Sequence, residues 1–325
     1  MNKETWIDEY VKLYTMDGRS LSKDNIEKAK SLKFKHMPER FYKYRSFDEQ
    51  RCSIKNLKED TIWMTTPNKY NDPYDCALRI GFTKNQINDV KREIIDNFKK
   101  NRKLKLTSEE ESKLNDIDDL DEFRLALMKK DLIYSGEQYD IYKANDAMSD
   151  ALNREFDIIN EKLRDDFQRS TLSCSFSEVN DSILMWSHYS NNHTGFCIEY
   201  DFKQLGVQNE FTRMLLPIIY TKELFDMTPF IKDKEAFNCL MSSYVSMNKS
   251  TEWQYEKEWR YSIPWGPGAE PFAKGVPTPT AVYLGVKISS ENEKEIIKIA
   301  HEKSITVYKM KMKSDEFKLI PERIS

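Results

Sequence analysis

The run Trp253-Gln254-Tyr255-Glu256-Lys257-Glu258-Trp259-Arg260-Tyr261 sets the tightest limit on what this chain folds into. Its aromatic spacing is that of a strand: Trp253, Tyr255, Trp259 and Tyr261 share one parity with Lys257, while Glu256, Glu258 and Arg260 share the other. Alternate residues of a strand point to opposite faces, so the pattern predicts a strand with two carboxylates and a guanidinium along one side. Such a face either meets solvent and pairs within itself, or it floors a cleft in which one carboxylate does acid–base or cation-stabilising work.

The chain has 325 residues, room for one large or two modest domains with a substantial core. Charged residues make up 32% against 39% hydrophobic, which implies long solvated helical faces. A formal net charge of -3 lacks the basic surplus of a duplex-binding module, so nucleic acid is not favoured as the main partner. The first residues, Met1 to Glu9, lack the apolar core of a secretion signal, and Met214–Tyr220 is an apolar run of strand length, far short of a membrane span. Cys52, Cys76, Cys174, Cys197 and Cys239 are odd in number, widely separated and without a Cys-x-x-Cys pair. They read as reduced thiols of a cytoplasmic protein, with no membrane contact and no metal site expected.

Hydrophobic periodicity divides the chain into an N-terminal helical cap over residues 1–40, an α+β core over 41–82 and 169–325, and a helical insertion over 83–168. The cap holds helical spacing from Glu4 to Leu32. Strands are expected at Phe41–Arg45, Thr61–Thr66, Ser170–Ser177, Phe196–Asp201, Leu215–Tyr220, Ala281–Val286, Ile305–Met310 and Phe317–Ile320. Helices are expected from an Asn180 or Asp181 cap to Tyr189, over Asp233–Asn248, and from a Ser290/Glu293 capping box to His301. Strands interrupted by helices without a βαβ repeat predict an α+β fold with a central mixed or antiparallel sheet.

Several polar groups invite a functional reading. Ser173, Ser175 and Ser177 share one parity of a strand, where hydroxyls either meet solvent or line a pocket. Asn71-Asp72-Pro73-Tyr74-Asp75 has turn chemistry, which is favoured over metal ligation by Asp72 and Asp75 because no carboxylates accompany them at a recognised ligand spacing. His188 and His193 are candidates for a base or a metal pair, although a histidine beside Asn191 and Asn192 is more often a loop-fixing hydrogen-bond centre. Ser187 lacks the Gly-x-Ser-x-Gly elbow of a hydrolase nucleophile.

Taken together, Tyr42-Lys-Tyr-Arg45, Asn71-Asp-Pro-Tyr-Asp75, Met185-Trp-Ser-His-Tyr189 through His193-Thr-Gly195, and Tyr255-Glu-Lys-Glu-Trp-Arg260 resemble a widespread bacterial family of uncharacterised domains over about Phe41 to Ile320. A fainter similarity is to ADP-ribosyltransferases of the arginine–serine–glutamate type, because Arg45, Ser173-Cys174-Ser175 and Glu256-Lys257-Glu258 stand in that order. The sequence departs from that pattern in its Ser-Cys-Ser motif, where Ser-Thr-Ser is usual, and in the long insert between the first two blocks.

The second resemblance implies a split sheet and an enzyme that consumes NAD as substrate by cleaving its nicotinamide–ribose bond, acting as a bacterial toxin or phage-defence effector. In such a site Glu258 would stabilise the oxocarbenium ion through the ribose 2-hydroxyl, and Glu256 would deprotonate an acceptor. Ser173 would orient the ribose and brace the glutamate, and Arg45 would grip the pyrophosphate. Tyr44, Ser175, Trp186, His188 and Tyr189 complete the expected NAD-binding set, with Trp186 or Tyr189 as an aromatic wall. The further partner is an unidentified macromolecular acceptor or a defence protein. Two competing readings are a metal-dependent nuclease built on Asp72, Asp75, Glu256 and Lys257, and a non-enzymatic sensor or interaction module that uses the insert and the aromatic surface.

Overall fold

The structure is a computed structural model that describes residues 3–14, 21–231 and 240–325. The chain divides into two compact units, one over residues 1–77, 165–225 and 235–325, the other over 78–164 and 226–234. The first unit begins with helices α1 (Lys3–Tyr14) and α2 (Lys23–His36), strand β1 (Phe41–Arg45), α3 (Cys52–Glu59) and β2 (Thr61–Met64). Next come β3 (Leu78–Arg79), α4 (Lys84–Asn101), α5 (Ser108–Asn115), α6 (Leu120–Ser135) and the long α7 (Ile141–Ser170). They are followed by β4 (Thr171–Ser177), α8 (Ile183–Tyr189), β5 (Phe196–Tyr200), α9 (Glu210–Met214), β6 (Leu215–Pro217), β7 (Ile219–Thr221), β8 (Phe225–Asp226) and α10 (Thr228–Ile231). The chain ends with α11 (Met241–Val245), β9 (Asn248–Ser250), β10 (Glu258–Pro264), β11 (Phe272–Gly275), β12 (Ala281–Leu284), α12 (Ser290–Lys303), β13 (Thr306–Met312) and β14 (Leu319–Arg323).

The fold is α+β around a mixed eight-stranded sheet in the order β14-β13-β12-β5-β1-β4-β10-β6. Neighbours run antiparallel except β12 and β13, whose parallel register needs the crossover that α12 supplies. Both edge strands carry a proline, Pro217 in β6 and Pro321 in β14, which withdraws a ladder donor and blunts the edge against pairing with other chains. One face of the sheet packs Phe41, Leu172, Phe176, Ile198, Trp259 and Tyr261 against α1, α2, α3 and α12. Trp6 of α1 stacks on Trp259 with ring centroids 6.2 Å apart. The other face buries Tyr44, Trp186, Cys197, Tyr283 and Met310.

The sheet is nearly parted in its middle. β1 pairs along its whole length with β5, from Phe41 opposite Tyr200 to Arg45 opposite Phe196. It meets β4 only where Tyr42 faces Ser177. β4 in turn pairs along its whole length with β10. Beyond the Tyr42–Ser177 contact the Lys43 ammonium donates to the Ser175 carbonyl at 2.6 Å, so a side chain supplies a bond that a continuous ladder would make with backbone. In the second unit α4, α5 and α6 close over Ile95, Phe123 and Leu127, and capping boxes at Thr83/Gln86 and Thr107/Glu110 start two of the helices.

Several expectations are corrected. The strand expected over 253–261 begins only at Glu258, because Thr251–Glu256 wind into a 3-10 turn and Lys257 takes a left-handed φ of 45°. The run Leu215–Tyr220 is two strands, with β6 in the large sheet and β7 paired to β9. The cap of α8 is Ser182, whose hydroxyl accepts from the Met185 amide, not Asn180 or Asp181. The cap of α12 is Ser289, one residue before the expected Ser290. Residues 232–239, most of the front half of the helix expected over Asp233–Asn248 together with Cys239, lie outside the described residues, as do 15–20 of the N-terminal helices. The described end of that expected helix is the short α11 followed by β9.

Candidate functional site

Where β1 and β4 part, they leave a cavity of about 220 Å³. One wall is Tyr42 to Arg45 of β1, the opposite wall is Ser173 to Ser177 of β4, and Asp75, Tyr189, Lys249, Glu256 and Glu258 close the inner end. The Asn-Asp-Pro turn delivers Asp75 to this place. Asp72 Oδ1 accepts from the Tyr74 amide at 2.9 Å and the Asp72 carbonyl from the Asp75 amide at 3.2 Å, so Asp72 serves the turn and Asp75 points inward to Arg260.

Five buried charges then form one network. Arg260 donates to both Asp75 oxygens, at 2.5 and 3.0 Å, and through Nε to Glu258 Oε1 at 2.8 Å. Lys249 donates to Glu258 Oε2 at 2.9 Å and to Glu256 Oε2 at 2.5 Å. The Tyr189 hydroxyl donates to Glu256 Oε1 at 2.5 Å. None of the five is more than 8% exposed, and Arg260 is fully enclosed. Three acids face two bases, so with every group ionised the cluster holds one uncompensated negative charge. Buried charge of this kind persists only when it is paired and hydrogen-bonded.

The shifts of the two glutamates follow from that imbalance. Burial works against ionisation of Glu258, but the Arg260 guanidinium and the Lys249 ammonium override it and hold the carboxyl well below its usual range. For Glu256, burial and the neighbouring Glu258 charge win against Lys249 and push the carboxyl up to about 7. Glu258 is thus the fixed anion and Glu256 the member that exchanges a proton near neutrality.

The β1 wall has the opposite sign. Arg45 makes no ion pair among the described residues, and its Nε is buried without a hydrogen-bond partner. Lys43 lies two residues away on the same strand, and burial lowers its ammonium from the ordinary lysine value. The strand end that carries Arg45 is held by the His193-Thr194-Gly195 block. Asn191, Asn192 and His193 all take left-handed φ values, 48°, 55° and 68°, and bring Gly195 so near β1 that a Cβ there would lie 2.1 Å from the Arg45 carbonyl oxygen. Only glycine fits that approach. His193 is the hydrogen-bond centre of the loop, with Nε2 3.1 Å from the Ser187 hydroxyl and its amide donating to the Trp186 carbonyl.

Of the residues singled out in the sequence, Arg45, Tyr44, Ser173, Ser175, Tyr189, Glu256 and Glu258 line this cavity. Trp186 and His188 do not line it: the Trp186 ring is buried in the core with Nε1 donating to the Asn180 carbonyl at 2.7 Å, and His188 is exposed. Two assignments shift. Ser173 Oγ pairs with the Tyr70 hydroxyl at 2.7 Å, while the hydroxyl that braces Glu258 belongs to Ser175. Glu256 and Glu258 converge on Lys249 rather than on one strand face. Lys257, part of the proposed nuclease set, is exposed and outside the cavity. Among the described residues no group of three or more His, Cys, Asp and Glu side chains is arranged to hold a metal ion.

Sequence reasoning missed Lys249, Lys43, Tyr70 and Trp63. Arg260 and Asp75 sat inside motifs but were not joined, since their link spans 185 positions. Lys249 gave no signal, standing in Ser246-Met-Asn-Lys-Ser without a period or motif. Trp63 lines the cavity while 47% exposed, on the two-stranded ribbon of β2 and β11.

Among the described residues no helix is long and apolar enough to cross a membrane. Residues 185–261 match the family model described as Protein of unknown function (DUF2971), which agrees with the likeness to an uncharacterised-domain family and covers Tyr189, Lys249, Glu256, Glu258 and Arg260 but neither Arg45 nor the β4 serines. No curated protein and no solved structure matches the chain.

Proposed function

We propose that the cavity between β1 and β4 binds NAD and cleaves its nicotinamide–ribose bond. The observation that carries this reading is the meeting of Arg45, Ser173, Ser175, Glu256 and Glu258, distant in the chain, around one cavity. Its two signs suit the two ends of that substrate. The Arg45 guanidinium and the Lys43 ammonium, neither in an ion pair among the described residues, match a pyrophosphate. At the other end the cluster's excess negative charge suits the oxocarbenium ion that forms as nicotinamide leaves. Glu258 supplies that charge, locked by Arg260 and Lys249. Glu256 supplies the titrating carboxylate. Depletion of NAD would make the protein a toxin or a phage-defence effector, the role that the resemblance implies.

The test is incubation of the full-length chain with NAD and measurement of free nicotinamide, with Glu256→Gln and Arg45→Ala alongside. Release that both variants reduce supports the reading; release indifferent to both removes this cavity from the chemistry. A second reading, that the cavity binds its ligand without turning it over, draws on the saturation of Glu258, both of whose oxygens already accept from Lys249 and Arg260. It predicts NAD binding by calorimetry with no nicotinamide formed.

A further inference from the structure

Cleavage of NAD needs an acceptor for the ribosyl cation, and we infer that in this cavity the acceptor is water, so that the reaction is hydrolysis rather than transfer to a macromolecule. The inference rests on the NAD reading of the same site and adds the identity of the nucleophile. Three observations carry it. First, Glu256, the carboxylate to which the NAD reading assigns the nucleophile's proton, is only 4% exposed. Second, its two oxygens are covered by the Tyr189 hydroxyl and the Lys249 ammonium, and Lys249 is itself backed by the Trp253 ring at 5.0 Å. A protein or nucleic-acid acceptor must bring its backbone with it to a carboxylate so covered, whereas water need not. Third, the cavity is about 220 Å³, and a macromolecular acceptor's side chain and backbone would have to share it with NAD. Water, which occupies about 30 Å³ in the liquid, makes the smallest demand on that space.

The step balances without a further reactant. The bond from C1′ of the ribose to the nicotinamide nitrogen breaks, and its electron pair stays with nicotinamide, which departs neutral. A water oxygen bonds to C1′ while one of its protons passes to the Glu256 carboxylate and from there to solvent. The products are nicotinamide, ADP-ribose and a proton.

The experiment follows the label. The full-length chain is incubated with NAD labelled in the adenylate portion, alone and with a bacterial lysate as a source of acceptor protein and nucleic acid. Free nicotinamide, free ADP-ribose and label precipitated with macromolecules are measured over time. Hydrolysis predicts ADP-ribose equal to nicotinamide at every time point, no precipitated label, and about a 100-fold slower release in Glu256→Gln, the lower end of what a general base contributes. Precipitated label that rises in step with nicotinamide overturns the water assignment and leaves the NAD reading standing. No nicotinamide under any condition overturns both. The product ratio is read on the unaltered protein, so the result does not depend on the variant folding.

Discussion

Lys33 and Lys249 are buried to nearly the same depth, 3% and 8% exposed, and burial has opposite outcomes for them. Lys33 of α2 donates to the backbone carbonyls of Thr212, Arg213 and Leu215 at 2.9, 2.7 and 2.7 Å, at the end of α9. Burial, with Arg213 and Lys30 adding repulsion, pushes its ammonium down to about 7. Lys249 faces carboxylates instead, Glu256 at 2.5 Å, Glu258 at 2.9 Å and Asp75 at 3.8 Å. Burial works on it in the same direction, but those three negative charges override it and hold the ammonium well above its ordinary value. Carbonyl dipoles satisfy the hydrogen bonds of an ammonium without cancelling its charge, whereas carboxylates do both. Lys33 is therefore a clasp between α2 and α9. Lys249 is the counter-ion on which the acidic end of the cavity depends.

The comparison breaks most openly at Lys249. Lys249→Met leaves Glu256 and Glu258 facing each other without their shared cation, and is expected to cost about 3–5 kcal/mol in urea unfolding at pH 7, the range for removing one partner of a buried pair. Combining it with Glu256→Gln should recover part of that loss, with a coupling of about 1–3 kcal/mol in a double-mutant cycle. Strict additivity would show that the two groups do not share the burden. Lys33→Met removes a donor from three carbonyls but also removes the cost of burying a charge, and should lose about 1–3 kcal/mol. Equal losses at the two sites would show that carbonyl and carboxylate partners leave a buried ammonium equally costly to remove.

The pH dependence sharpens the contrast. The folded-state value of Lys33 lies near 7, below its ordinary 10.5, so between those limits the unfolded chain holds a proton that the folded chain lacks. Stability from this group should rise with pH across that window, and Lys33→Met should flatten the rise in unfolding curves taken from pH 7 to 10. Glu256 is raised from 4.5 to about 7, so its contribution is complete below about 4.5 and is lost as pH rises through 7. Lys249, Glu258 and Tyr189 contact or crowd Glu256, and the Lys249 and Glu258 charges stay fixed through that window. Glu256→Gln should therefore remove the fall. The smallest effect is expected at the rim: Trp63→Ala, half exposed and outside the core, should leave unfolding unchanged and weaken NAD binding about tenfold through loss of ring stacking, read by calorimetry.

Much of the frame was legible because period-2 patterns mark strands wherever one face is buried. Phe41–Arg45, Ser170–Ser177 and Ala281–Val286 all lie in the large sheet at or within a residue or two of the expected bounds. The pattern over 253–261 misled because one left-handed residue, Lys257, separates a 3-10 turn from a strand while the aromatic spacing runs on unbroken. Glu256 still reaches its partner, but by a turn rather than by parity. The site itself was half legible. Arg45, the serines and the glutamates came from motif order, whereas Lys249 and the Asp75–Arg260 pair depend on contacts between distant segments that leave no local period. Excess charge was likewise hidden, since a net of -3 over the whole chain says nothing of three acids meeting two bases in one enclosure.

Nicotinamide release from NAD by the full-length chain at pH 7 to 8, measured for the unaltered protein beside Glu256→Gln and Arg45→Ala, tests the account most directly. Release that falls at least about 100-fold in Glu256→Gln, and that needs several-fold more NAD in Arg45→Ala, is the predicted result. Unaltered release in both variants, or none from a folded unaltered protein, would contradict it.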